Sequence, residues 1–416
     1  MFKKLYAALV CLLLCTMIFS GCAETVQAAD LMEGITQTQT IGKDADETFI
    51  AAQMHFAVEL FKKTANREKN SLISPLSVQL ALAMTANGAS GETLCEMETA
   101  LGGIPIETLN KYFYSYVQSL PSEEKCKLQI ASSIWFRDAK GLRVEKNFLQ
   151  TNADYYGAQA YKSPFNEQTA KDINTWANMH TFGMINKILE KIDPTAMLYL
   201  INTVLFDAQW QKPYDEQSII DGIFNTLSGE KKNVSMMSSV ESYYLFDSKA
   251  VGFMKNYNDG KYRFAALLPN EDVSLEKYVE SLSAETLLTT LETAERNVEV
   301  EVKLPKFKYE YKIQMKDALS ALGMPLAFNS AAADFFRMGY CDNGKLYVES
   351  VLHKTYISVD GMGTRAGAAT AVIAAPGSAP IKNEPYRVTL NRPFLYLIVD
   401  AQTNLPVFIG TVTDIA

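Results

Sequence analysis

Histidine is nearly absent from this chain: His55, His180 and His353 are the only three in 416 residues. His55 falls within a patterned helix and His353 in a strand context, where a hydrogen-bonded structural role is a simpler reading than general base. No G-x-S-x-G, H-E-x-x-H or Gly-rich phosphate loop occurs, so the sequence lacks the common hydrolase, zinc-protease and nucleotide-binding signatures. Cysteine is scarce as well. Of six in all, Cys11, Cys15 and Cys22 lie at the extreme N-terminus, and Cys95, Cys126 and Cys341 are scattered. These three form neither a disulfide framework nor the paired spacing of a zinc site. They read as buried small hydrophobes, with one disulfide left open. No Lys/Arg-rich block interleaved with aromatics is present, and the net charge is −8. Nucleic acid is therefore excluded as an expected partner. Neither a cofactor nor a metal is expected.

What is present is a globular composition, 48% apolar and 21% charged. Lys3 and Lys4, followed by the apolar run from Leu5 to Phe19, make an export signal too short for an ordinary membrane span. Ser20-Gly21-Cys22 closes it in the manner of a bacterial lipoprotein box, although Phe19 stands where that box usually has leucine. Cys22 is then the residue that carries lipid. The alternative is a plain cleaved signal with an incidental Cys22. Loss of residues 1–21 removes two lysines and no acid, leaving a charge of −10. Residues 22–45 are expected to form a polar tether that holds the body off a membrane. Residues 46–416 are expected to form one domain.

Within that body, Phe49, Ala52, Phe56, Leu60 and Phe61 recur at helical spacing. Residues 76–87 make a second, more apolar helix, and Ser74-Pro75 suits its start. Further on the period becomes two: Val298, Val300, Val302 and Leu304 alternate with Glu299, Glu301 and Lys303, marking a half-buried strand. Residues 262–268, 356–359, 394–399 and 407–412 read as further strands. Helices dominate early and strands late, without internal repeats or regular βαβ alternation, so the α+β class is expected.

One segment fits neither pattern. Residues 361–380, GMGTRAGAATAVIAAPGSAP, hold no aromatic, no acid and a single charge, Arg365. The run cannot fill a core, yet it is short of polar groups for a linker. Ala366, Ala368, Thr370 and Val372 share one parity and would face the same side of a sheet. The physical reading is a loop able to become a central strand; the plain one is an Ala/Gly-rich surface loop.

Ordered motifs decide between them. Asn70–Ser77 (NSLISPLS), Asn174-Thr175-Trp176 with Thr181, Gly183 and Ile185, and Asn202–Phe206 with Trp210 occur in turn. Leu304–Phe307 (LPKF), Leu322-Gly323-Met324, Ala333-Asp334-Phe335 and His353-Lys354 follow. Gly363-Thr364, Asn391–Leu395 (NRPFL) and Phe408-Ile409-Gly410 complete the series. In this order, from about residue 46 to the C-terminus, they resemble the serpin family, here a member of bacterial lipoprotein type.

That resemblance implies three β-sheets surrounded by about eight or nine helices, with an exposed reactive-centre loop at about 361–387. It implies a protease inhibitor rather than an enzyme, acting as a monomer on serine or papain-like cysteine endopeptidases through a covalent acyl complex. The cut loop would then insert into the main sheet. Gly363, Thr364, Ala366, Gly367, Ala368, Ala369 and Thr370 supply the small hinge residues this insertion demands. Counting along the loop places the scissile bond at Gly377–Ser378, which suits the small pockets of elastase-like or subtilisin-like enzymes. Ser74, Ser77, Asn202, Trp210, Lys306 and His353 match the residues that control sheet opening. Gly361 stands where the family has a glutamate paired with the lysine matching Lys306, so the upper end of the sheet is expected to be held less firmly. The competing reading is a non-inhibitory binding or carrier protein. Export to the cell surface, held by lipid or secreted, is the expected location.

Overall fold

Among the described residues, the longest helix starts where a carboxylate can cap it. Asp46 accepts the Phe49 N–H at 3.0 Å, and the Tyr112 hydroxyl together with that N–H holds its carboxyl down to about 2. Helix α1, Glu47–Thr64, buries Phe49, Phe56, Leu60 and Phe61, as its spacing predicts. Helix α2, Pro75–Ala86, has the Ser74 side chain on the Ser77 N–H and proline at its first turn. All of its residues are buried, because it is apolar on every side and runs through the middle of the core.

In this computed structural model, residues 25–415 are described except 124, 343 and 365–383. The main sheet contains β1 (Ala29–Asp30), β3 (Cys126–Arg137), β4 (Gln159–Ser163), β5 (Leu198–Gln209), β10 (Phe307–Gln314), β11 (Ser350–Val359) and β12 (Gly363–Thr364). Their spatial order is β1-β4-β3-β5-β12-β11-β10. The second sheet contains β2 (Ser71–Ile73), β6 (Lys231–Phe246), β7 (Ala250–Asn256), β8 (Tyr262–Pro269), β9 (Glu295–Pro305), β13 (Tyr386–Thr389), β14 (Phe394–Asp400) and β15 (Pro406–Val412). Its order is β13-β9-β6-β7-β8-β14-β15-β2. A third sheet pairs Arg143–Val144 with Gly339–Tyr340. With the helices around them, these sheets form the mixed α+β fold expected.

The strands anticipated from alternation are present. In β9, Val300, Val302 and Leu304 are buried, but the register shifts between Arg296 and Val300, and Asn297 sits at φ 59°. The strand is therefore bulged where its sequence reads as continuous. Every residue of β14 and β15 is buried, as suits strands covered on both faces. A second apolar cluster, including Trp135, Trp176 and Ile201, lies under helix α3 (Glu167–His180).

The expected tether behaves differently over its described part, residues 25–45. The Leu31 N–H bonds Ala160 O at 2.9 Å and the Lys43 N–H bonds Lys111 O at 3.0 Å. The Thr38 N–H reaches Asp154 Oδ1 at 2.7 Å. Leu31, Met32 and Ile35 pack against the core, and these few apolar residues convert a polar segment into a strap. Ala29 pairs with Lys162, which pairs with Phe136, which pairs with Leu198. The strap thus meets the main sheet at the start of β5, far from Gly363-Thr364 at its other end.

Candidate functional site: the seam and hinge of the main sheet

At the centre of the main sheet β5 and β11 run parallel, each flanked on its outer side by an antiparallel neighbour. Their pairing extends from Tyr199 with Ser350 to Thr203 with Lys354 and then stops. Beyond that point β12 lies between them. Gly363 faces Gln209 and Thr364 faces Ala208, while Thr364 also faces Val359. The two residues are antiparallel to both strands, so they form a wedge in the open end of a parallel seam. Gly363 is required there by contact: a Cβ would lie 2.1 Å from Ala208 O.

The backbone leading into the wedge is suspended from the segment that follows β5. The Trp210 N–H donates to Met362 O at 2.8 Å and the Tyr214 N–H to Gly361 O at 2.8 Å. Trp210 Nε1 donates to Asp360 O at 2.8 Å. The hydroxyls of Tyr257 and Thr364 lie 2.5 Å apart, and the Trp210 ring stacks on Tyr257 at 4.6 Å. Behind these rings lies an ion pair between the buried Lys255 and the half-buried Glu241, Nζ to Oε1 at 2.6 Å. Burial and the Glu241 charge push the Tyr214 hydroxyl far up, so it stays neutral.

Midway down the seam is a polar cluster. Asn202 and His353 are directly paired across β5 and β11. His353 Nδ1 lies 3.0 Å from Asn202 Oδ1, and its Nε2 accepts the Ser74 N–H at 3.1 Å. The ring is fully buried, which lowers its pKa to about 3. It is therefore neutral, with its proton on Nδ1 donated to Asn202. Asn202 Oδ1 also accepts the Ser77 hydroxyl. Its Nδ2 donates to Ser77 O at 2.8 Å and to Ser132 Oγ at 2.9 Å. A neutral imidazole with both nitrogens occupied is a strut across the seam, not a base. Among the described residues, no group of His, Cys, Asp and Glu is placed to hold a metal.

The family model described as Serpin (serine protease inhibitor) matches residues 51–415. This chain belongs to the serpin family. Serpins are generally protease inhibitors rather than enzymes. Serpin-ZXA of Oryza sativa subsp. japonica is 31% identical over 363 residues, covering 83% of this chain and 90% of that protein. The crystal structure of a thermophilic serpin, tengpin, in its native state superposes with a TM-score of 0.89 at 47% identity, covering 94% of this chain and 100% of that one. In its latent state tengpin gives 0.80, covering 90% and 100%.

In this serpin the structure brings Ser74, Ser77, Asn202 and His353 into one cluster, and Trp210, Gly363 and Thr364 into another. Lys306 joins neither. It stands half-buried at the junction of β9 and β10 with its N–H on Ser235 O at 2.9 Å, and the ammonium facing the Trp210 and Tyr214 rings belongs to Lys255. Ala366, Gly367, Ala368, Ala369, Thr370, Gly377, Ser378 and Cys22 lie outside the described residues.

Two expectations need correction. Of the three cysteines read as buried, only Cys126 is; Cys95 is exposed and Cys341 half-buried. His55 lies on the exposed face of α1 rather than in a hydrogen-bonded interior.

Ser132, Tyr214, Tyr257, Lys255 and Glu241 were not legible as site residues. Ser132 joins only because the register places it opposite Asn202. Lys255 carried one signal, a single charge at the end of the apolar run Ala250-Val251-Gly252-Phe253-Met254.

Proposed function

We propose that this chain is an exported, lipid-held monomeric inhibitor of serine endopeptidases, and of papain-like cysteine endopeptidases, that traps its target by loop insertion. The observation that carries this reading is the seam. A strand added between β5 and β11 replaces one parallel contact with two antiparallel ladders, the more stable kind. The wedge at Gly363-Thr364 already has that geometry. Continuing its register, residue 374 would face Leu198, the first residue of β5. Gly377 would then lie just past the far end of the sheet, which fits cleavage at Gly377–Ser378.

In the covalent step, the protease nucleophile adds to the Gly377 carbonyl carbon and the Gly377–Ser378 bond breaks. The amine of Ser378 leaves with a proton, and an ester or thioester joins Gly377 to the protease. Insertion of the preceding loop then carries the acylated protease to the far end. Glycine before the bond, with alanines around it, favours elastase-like or subtilisin-like pockets.

Lipid on Cys22 fits the strap. The N-terminal segment reaches the body at the end opposite the wedge, so an anchor there would leave Gly363-Thr364 at the end away from the membrane.

The test incubates the mature protein with elastase-like, subtilisin-like, trypsin-like and papain-like proteases, followed by denaturing gels. A band of summed mass and a released fragment beginning at Ser378 are expected. Cleavage without any such band from the whole panel overturns the inhibitory reading in favour of a binding protein. Growth with a labelled fatty acid tests the anchor: label is expected on the parent and lost in Cys22→Ala.

A further inference from the structure

Loop insertion, the reading proposed above, requires β5 and β11 to part by one strand spacing, about 4.8 Å. The contacts of each strand with the second sheet decide which of them can move. The β10–β11 side is stapled to it repeatedly. The Tyr309 hydroxyl donates to Ser71 O at 2.9 Å and lies 2.6 Å from the Tyr396 hydroxyl. The Thr355 hydroxyl donates to Leu72 O at 2.9 Å. On the β5 side the Asn202 cluster at mid-height bonds helix α2 through Ser77 and not the second sheet. Its ties to the second sheet gather at the upper end. There Phe206 packs on Tyr262 and Phe408, the Asn258 N–H donates to Gln209 O at 2.8 Å and the Gln211 N–H to Asn256 O at 3.0 Å, beside the Trp210 and Tyr214 rings. The β5 side is therefore the one that slides once this upper end is released.

Those two rings are held by a charge. Lys255 on β7 and Glu241 on β6 pair at 2.6 Å with side chains only 3% and 12% exposed. The Lys255 ammonium lies 4.4 Å from the Tyr214 ring centroid and 5.6 Å from that of Trp210. The Ser239 hydroxyl donates to Glu241 at 2.6 Å and lies 3.3 Å from the Tyr214 hydroxyl. Tyr214 in turn holds Gly361 O through its N–H. The chain of contacts therefore runs from the second sheet, through the ion pair and two aromatic rings, to the backbone on which the wedge hangs.

A buried ion pair in which each charge is the other's main partner resists displacement of either half, because separation strands a charge out of water. A cation over an aromatic face adds attraction that is strongest where water is excluded. Gly361 offers no side chain to tie down this end of the sheet, and this cluster adjoins it.

We infer that Lys255 and Glu241 are the latch that holds the upper end of β5 to the second sheet and sets how long the chain stays in its uninserted state. Their role is positioning, exerted through Trp210 and Tyr214.

The test uses the mature chain and needs no target protease. Parent, Lys255→Met and Glu241→Gln proteins are held just below the unfolding temperature, with the loop uncut. Conversion to a form that resists urea and heat is followed on urea-gradient gels. Each single variant is expected to convert about tenfold faster than the parent, since breaking a buried pair raises the energy of the state it holds. The double variant Lys255→Met/Glu241→Met, which leaves no unpaired charge, is expected to return to within about threefold of the parent rate. Ser239→Ala covers the case of single variants that fail to fold: it removes one hydroxyl from Glu241 and is expected to speed conversion about twofold to fivefold.

Single variants that convert at the parent rate overturn the latch. So do variants that unfold earlier without yielding more of the resistant form, because that is the signature of packing alone. A parent chain that gains no heat stability when its loop is cut overturns the insertion reading itself, and is distinguishable from both.

Discussion

His353 shows how a residue with familiar catalytic chemistry becomes a mechanical part. Its ring is enclosed, with one nitrogen on Asn202 and the other on the Ser74 N–H, so protonation would cost both burial and a hydrogen bond. The folded pKa, about 3, lies below the ordinary 6.5. Between those values the unfolded chain binds one more proton than the folded one, so stability is full above the upper value and declines as pH falls toward the lower. The slope from this residue is at most about 1.4 kcal/mol per pH unit. Urea unfolding followed from about pH 7 to about pH 4 should show it. His353→Gln, which does not titrate, should flatten the curve by up to that amount. An identical slope in the variant would assign the pH dependence to other groups. Ser74, Ser77, Asn202 and His353 were legible because each sits in an ordered motif. Ser132 was not, because a serine in a strand gives no sign of what lies across the ladder.

At the scale of elements, the decisive object is the parallel seam with its two-residue wedge. Small residues from Gly363 onward suggested a strand-forming loop, and the structure adds where such a strand begins and which neighbours it would meet. Gly363→Ala tests that geometry. A methyl group 2.1 Å from Ala208 O forces β12 away from β5, a clash costing about 1–3 kcal/mol. The contact recurs wherever residue 363 faces Gln209, so the inserted state suffers as well. The expected results are a lower melting temperature and more inhibitor cleaved per protease trapped. A stoichiometry equal to that of the parent would show that the hinge backbone can shift at little cost. The bulge at Arg296–Val300 was invisible in the alternation of β9, since it sets four steps of β9 against two of β6 and an even excess keeps every side chain on its own face.

For the whole molecule, the insertion proposed above would make the uninserted fold one of two states that the same chain can reach. Cutting the loop with a protease outside the target class should let it insert without a passenger. About ten net hydrogen bonds at ~1 kcal/mol each would raise the melting temperature of a chain this size by about 10 °C. Calorimetry before and after cleavage measures this, and an unchanged midpoint would show that the seam does not open. The strap along residues 29–43 belongs to this scale too. It was read as a tether because it is polar, and only the folded surface offered Leu31, Met32 and Ile35 a place to bury.

Periodicity and composition were enough to establish the α+β class, the main helices and strands and the small-residue loop, and ordered motifs were enough for the family. Periodicity and short ordered motifs are local properties that survive without knowledge of contacts. The tertiary structure alone decided which lysine faces the hinge. Lys306 occupied the position the family resemblance pointed to, whereas Lys255 reached the Trp210 ring because β7 packs behind it. It also decided that the N-terminal segment meets the body at the end opposite the wedge. Both depend on strand register and sheet order, which bring together residues far apart in the chain and leave no periodic trace in it.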